Sequence, residues 1–192
     1  YIRRSGGSIS KIAAMKNAVG NFIDQVTANA TGDPATNEDD VTHRLGIVKF
    51  SGNESDQIGN DTYRSDGNTY NYSQVVQDLT SVTGNVQSLK NAVNELAAAG
   101  STRTDFGLNQ AQRVLDGDRQ HGLGGAREEA KQVVVVFTDG EPSTFSNWSG
   151  GVAANAVNLA KDLKDDKVTV YTIGMFEDAD PSDTDGRFNK YM

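Results

Sequence analysis

The sequence predicts an α/β fold, with a doubly wound, mostly parallel central sheet flanked by helices. Three observations predict it. Short apolar runs alternate along the chain with segments of helical periodicity, which is the order of strand–helix units. The most apolar stretch, Val133-Val134-Val135-Val136-Phe137, is continuous and β-branched, as in a strand buried on both faces of a parallel sheet. A chain of 192 residues, 36% of them hydrophobic, is long enough for one domain with its own core.

The elements follow in order. Residues 1–11 read as a linker into a first helix over 12–26. There Ile12, Met15, Val19, Phe22, Ile23 and Val26 recur at helical steps and Ser10 is placed to cap. Residues 27–42 hold Gly32 and Pro34 and read as a loop. Leu45-Gly46-Ile47-Val48-Lys49-Phe50 is a strand, and 51–73, almost without aliphatic residues, a surface excursion. Val75 to Leu79 is a second strand. A helix from Thr83 then sets Val86, Leu89, Val93 and Leu96 on one face and stops at Gly100. Ser101-Thr102-Arg103-Thr104-Asp105 leads a third helix with Leu108, Ala111 and Leu115 inward, and 116–127 is a glycine-bearing loop. The strand from Val133 ends at Thr138-Asp139-Gly140-Glu141-Pro142. Val152, Ala156, Leu159, Ala160 and Leu163 mark a fourth helix, and Val168 to Ile173 a last strand before an acidic tail.

Composition excludes several functions. The absence of cysteine removes disulfides, zinc thiolates, iron–sulfur clusters and thiol catalysis. A net charge of −8 disfavours nucleic acid and anionic membrane surfaces. No apolar run approaches the ~20 residues that span a bilayer, so no direct membrane insertion is expected. GxSxG, P-loop and dinucleotide fingerprints are missing. The two histidines, His43 and His121, lie in separate loops and read as exposed. A nucleophile needs a positioned base, so the chain is expected not to be an enzyme.

Open parallel sheets bind ligands at the carboxyl ends of their strands. Asp139 follows such an end and reads either as an ordinary turn acid or as a ligand-facing carboxylate. The 101–105 segment reads as a capping cluster with Thr104 as N-cap, or as a source of hydroxyl and carboxylate oxygens that suit a hard cation such as Mg²⁺. Asp178, Asp180, Asp183 and Asp185 lack calcium-loop spacing and read as a solvated acidic loop, with Asp180 or Ser182 capping a short helix. Tyr63, Tyr70, Tyr72, Phe145 and Trp148 are loop aromatics that read as anchors for a partner or, in preference, as packing their own loops down. Five Asn-x-Ser/Thr sequons occur, at Asn29, Asn53, Asn60, Asn71 and Asn147, a mild excess over chance that would mean nothing if the source were bacterial.

Taken together, the order of the 12–26 helix, LGIVKF, the 86–96 helix, GSTRTDFGLNQA, VVVVFTDGEP and KVTVYTIGMF resembles a von Willebrand factor type A domain. The tyrosine-rich TYNYSQVVQDLT and the closing YTIGMFEDADP resemble the versions in Gram-positive surface and pilus-tip adhesins. The resemblance implies a metal-ion-dependent adhesion site, with Thr102 and Asp139 reaching Mg²⁺ (or Mn²⁺ or Ca²⁺) directly or through water. It implies a protein ligand that offers a carboxylate to the metal, an extracellular place on a bacterial surface, and neighbouring domains. The alternative is a structural subunit of a pilus or surface protein with a vestigial metal site.

The sequence departs from the family at its Asp-x-Ser-x-Ser metal loop. No aspartate precedes Asp24, although Ser5, Ser8 and Ser10 are present and Gly6-Gly7-Ser8-Ile9-Ser10 can be aligned on the motif with its aspartate lost. The preferred reading puts the motif, and the first central strand between LGIVKF and VVVVF, upstream of Tyr1. The cofactor expectation is conditional on that upstream loop. The expectation is thus a single domain over 1–192, incomplete at both ends, with a surface insertion over 52–73. Two unpaired buried strand edges also lead to the expectation that these 192 residues alone do not form a stable soluble monomer.

Overall fold

The computed structural model describes residues 2–4, 7–30, 42–144 and 147–174. The acidic tail and Phe145 lie outside the described residues. The chain runs β1 (Ile2–Arg4), β2 (Gly7–Ile9), α1 (Lys11–Ala28), β3 (Arg44–Lys49), β4 (Thr62–Ser65), β5 (Asn68–Asn71), β6 (Gln74–Ser81), α2 (Val86–Asn94) and α3 (Thr104–Asp116). A 3₁₀ turn (Arg119–His121), β7 (Val133–Thr138), β8 (Ser143–Thr144), β9 (Asn147–Trp148), α4 (Gly150–Asp165) and β10 (Thr169–Gly174) complete it. The α/β class holds.

The sheet is smaller and less parallel than the sequence predicts. β7 and β10 pair in parallel, Val133 opposite Thr169 through Thr138 opposite Gly174. β3 pairs with β6 antiparallel, and its register shifts around Gly46 and Ile47. Each pair is a separate two-stranded sheet. No described residue forms a strand between β3 and β7. The predicted linker 1–11 instead carries the antiparallel β1–β2 pair.

Helix α1 starts as predicted: the Ser10 hydroxyl accepts the Ala13 N–H at 3.3 Å. Helix α2 ends at Asn94, well before Gly100. The reason is tertiary. The Asn71 side chain donates to the carbonyls of Ala97 (2.7 Å) and Ala99, and the Ser51 hydroxyl donates to Ala99 at 2.6 Å. These bonds hold an alanine-rich stretch out of the helix that its own propensity favours. Asn71, read above as a sequon, is buried and spends its amide here.

The 52–73 segment carries a β-hairpin of its own, β4 and β5. Asp66 (φ 51°) and Gly67 (φ 79°) make the tight turn between β4 and β5, as Asp-Gly favours. Tyr63 stacks on Tyr70 (5.6 Å) and packs on Tyr72 (4.7 Å), and its hydroxyl accepts from the Asn53 N–H. The tyrosines thus pack their own loop down, as expected. Lys49, also buried, donates to Asn60 (2.8 Å) and to the Asp61 carbonyl (2.7 Å). Burial lowers its ammonium below the ordinary lysine value, with the Asp61 charge opposing.

The core lies in three patches. Leu108 of α3 packs with Val134, Val136, Ala156, Leu163 and Val168. Ile23, Val82, Leu89 and Val93 form a second patch, beneath α1 and α2. Val114 of α3 packs with Val75 and Leu123 in the third. Leu163 is 1% exposed. Leu163→Ala is predicted to cost about 2–5 kcal/mol in chemical denaturation. Val157→Ala, at a 47% exposed position on the same helix, is predicted to stay within about 0.5 kcal/mol.

His121 is not simply exposed. Its Nδ1 lies 2.7 Å from Asp118 Oδ2, which also accepts from Arg113 at 2.8 Å. Hydrogen bonds from Arg113 first, then His121, hold the Asp118 carboxyl down at about 2. A depressed acid contributes stability above its unfolded value and loses it as pH falls through the folded one. The urea midpoint is therefore predicted to fall between pH 3.8 and about 2, and Asp118→Asn to flatten that part of the profile.

Candidate functional site

Strand β7 delivers Asp139 to solvent at its carboxyl end. The last strand residue, Thr138, is buried, and its hydroxyl donates to the Gly140 carbonyl (3.1 Å) and accepts the Gly140 N–H (3.4 Å). This pins the turn while leaving the Asp139 side chain exposed.

The second wall comes from the loop before α3. The Thr102 N–H donates to Ser143 Oγ at 2.9 Å, and the Ser143 N–H donates to the Thr102 carbonyl at 2.9 Å. This reciprocal pair ties the Thr102 loop to β8. It also sets the Thr102 hydroxyl against Gly140: a Cβ there would meet Thr102 Oγ1 at 2.9 Å. Glycine at 140 is therefore a requirement of close approach. Thr102 and Asp139 border the same cleft, as does Ser10, whose hydroxyl is already engaged in capping α1.

Thr104 is not the N-cap. It is the first helical residue of α3, and the position before it is Arg103, with no side-chain cap bond. The local order comes instead from Arg103, which grips Asp105 through two 2.8 Å bonds and lies 3.4 Å over the Phe106 ring. Asp105 is 3% exposed, so it serves this clamp and offers no free carboxylate to the rim.

Among the described residues, the rim thus brings the exposed Asp139 carboxylate near the Thr102 hydroxyl. Oxygen donors of this kind fit a hard cation, but two of them fill only part of an octahedral shell. Among the described residues no group of three or more His, Cys, Asp or Glu gathers to hold a metal. The acidic residues 178, 180, 183 and 185 lie outside the described residues. Nearby, Trp148 of β9 pairs with Ser143 across the β8–β9 ladder and packs over Gly150, yet remains 38% exposed.

Sequence reasoning singled out Thr102 and Asp139 but missed Ser143 and the Arg103/Asp105 clamp. The one available signal was Gly140, directly after the candidate carboxylate. No pattern marks Ser143, because its role depends on a partner 41 positions away.

Comparisons with known proteins bear on this geometry. A family model described as von Willebrand factor type A domain matches residues 5–186. No curated protein sequence matches the chain. Among solved structures, the pilus adhesin SpaC from Lactobacillus rhamnosus GG is similar in fold, with a TM-score of 0.52 and 17% identity. The match covers 85% of this chain and 22% of that one, so the chain spans about a fifth of that adhesin's length.

Removing Arg103 leaves the Asp105 charge buried without its partner. Arg103→Ala is predicted to lower stability by about 2–4 kcal/mol in chemical denaturation, and Arg103→Lys by less, since lysine cannot make the two-pronged contact.

Proposed function

The chain belongs to the von Willebrand factor type A domain family, and from that premise we propose that it is an adhesion module of a bacterial cell surface, binding a protein ligand through a cation at the rim of Thr102 and Asp139. The observation that carries the reading is the placement of the Thr102 hydroxyl beside Gly140, next to an exposed Asp139 at the carboxyl end of a parallel strand.

The chemistry follows from the donor set. A bound Mg²⁺, or Mn²⁺ or Ca²⁺ in its place, supplies a positive charge to which an acidic group of a ligand can bind. Asp139 offers a full charge and Thr102 a neutral oxygen. The Thr102/Ser143 bonds and the pinned 138–140 turn hold these two donors still without spending the Asp139 side chain. Two protein oxygens leave room for water and for a ligand carboxylate, and a site so sparsely charged binds its cation weakly until the ligand joins it. An Asp-x-Ser-x-Ser loop outside these residues would strengthen it.

The reading is one of binding. His121 is tied to Asp118 and Arg113. Among the described residues no helix is long and apolar enough to cross a membrane. The similarity to a pilus adhesin supports a surface setting. A second reading, a structural subunit with a vestigial metal site, is favoured by the lack, among the described residues, of any group of three or more acidic or histidine ligands.

Calorimetric titration with Mg²⁺ separates the two. The adhesion reading predicts a measurable response, weakened at least about tenfold in Asp139→Ala and less in Thr102→Ala, with folding stability unchanged by Asp139→Ala within about 0.5 kcal/mol. Silence to Mg²⁺ and Mn²⁺, with Asp139→Ala indistinguishable from the parent, leaves the structural reading.

A further inference from the structure

Tryptophan occurs once in the chain, at position 148. It stands directly opposite Ser143 in the antiparallel β8–β9 ladder. Residues opposed in this way send their side chains to the same face, with Cβ atoms ~5 Å apart. Ser143 identifies that face, because its Oγ accepts the Thr102 N–H at 2.9 Å. The indole therefore rises on the side of the ladder that meets the Thr102 loop.

The indole is also held in place. Its six-membered ring lies over Gly150, where a Cβ would meet Cη2 at 2.9 Å and Cζ3 at 3.2 Å. Glycine is a poor helix former, yet it opens α4 at this position and leaves room for the ring. The next residue, Ser149, is anchored twice. Its N–H donates to the Pro142 carbonyl at 2.9 Å, and its hydroxyl caps α4 by accepting the Val152 N–H. Even so, Trp148 is 38% exposed, so much of its apolar surface faces solvent. A large aromatic held in one orientation loses little freedom on binding, which is the physical character of an interface anchor.

The spacing sets what such an anchor can read. One hydrogen bond and one ladder step separate the Thr102 and Trp148 backbones, a span of ~10 Å. An extended ligand advances ~3.3 Å per residue, and its alternate side chains share a face, so residues two or four from the metal-bound carboxylate face the indole. A bound cation nearby disfavours a basic side chain there, which leaves an apolar one. We propose that Trp148 is a second contact for the ligand of the cation rim, taking a large apolar side chain two or four residues from the ligand's carboxylate. The proposal rests on the cation reading, since the carboxylate fixes the register.

Dye-labelled synthetic nonapeptides of glycine and serine test it in Mg²⁺. Each carries a central glutamate and leucine, phenylalanine, lysine or glycine at one other position, and affinity is read by anisotropy. Leucine or phenylalanine two or four residues from the glutamate is expected to bind at least about fivefold more tightly than glycine there, and lysine is not. Emission from Trp148 is expected to move to shorter wavelength as the unlabelled forms of those peptides bind. Trp148→Ala is expected to cut the preference to within about twofold while the glutamate is still required. Gly150→Ala, which displaces the ring without weakening α4, is expected to do the same. Equal binding of all glutamate peptides, tightening by lysine alone, or a preference that survives either substitution overturns the proposal and leaves the cation reading standing. An absence of glutamate-dependent binding at millimolar peptide also overturns it. Mg²⁺ titration then separates the two failures, since silence to Mg²⁺ removes the cation reading as well.

Discussion

Helix α3 holds the two halves of this molecule together. One half is the β3–β6 pair with α1 and α2; the other is the β7–β10 pair with α4. No backbone ladder joins them among the described residues. Near its start α3 places Leu108 against Val134 and Val136, and two turns on it places Val114 against Val75 and Leu123. Its approach to the first half is close enough to need glycine, since a Cβ at Gly107 would meet the Phe50 ring at 2.8 Å. The halves are therefore joined through side chains: apolar packing worth roughly 1.5–3 kcal/mol per fully buried large residue, with hydrogen bonds from Asn109 to Glu54 and from Gln110 to the Ser55 carbonyl and an ion pair from Arg113 to Asp56 beside it.

That constraint decides what the rim can do. Thr102 sits in the loop that feeds α3, and Asp139 sits at the end of β7, so the packing of Leu108 under β7 sets the distance scale between them. Two local devices refine it. The Thr102/Ser143 pair ties the feeding loop to the segment after Asp139, and the Arg103/Asp105 clamp orders the first turn of the helix. Both devices consume polar groups that could otherwise have served as ligands. What is left over for a cation is small, so in the proposed reading the rim would need a partner or further donors to complete it.

The parts legible in the sequence were those governed by local pattern. The stripes of α1 and α4, the Ser10 cap and the β-branched run of β7 all follow from side-chain periodicity and capping chemistry. The misses arose where tertiary contacts override it. The alanines 97–99 are held out of helix by Asn71 and Ser51, which no local window contains. The β4–β5 hairpin carries its Asp66-Gly67 turn in plain view, but its strands are polar and tyrosine-bearing, so the absence of aliphatic residues read as loop. Thr104 fits a cap by type, yet the Arg103 clamp orders the turn instead. Thr102 and Asp139 were singled out through family resemblance, while Ser143, whose bonds hold the Thr102 loop, had no signal.

The central claim is that Thr102 and Asp139 form one cation-facing rim. Paramagnetic broadening by Mn²⁺ in amide NMR spectra tests it most directly. The account predicts that substoichiometric Mn²⁺ first erases signals around Thr102, Asp139, Gly140 and Ser143, and that Asp139→Ala restores them. Broadening centred elsewhere, such as on the acidic end of α4 at Asp162 and Asp165, or broadening at the rim that survives Asp139→Ala, would contradict it.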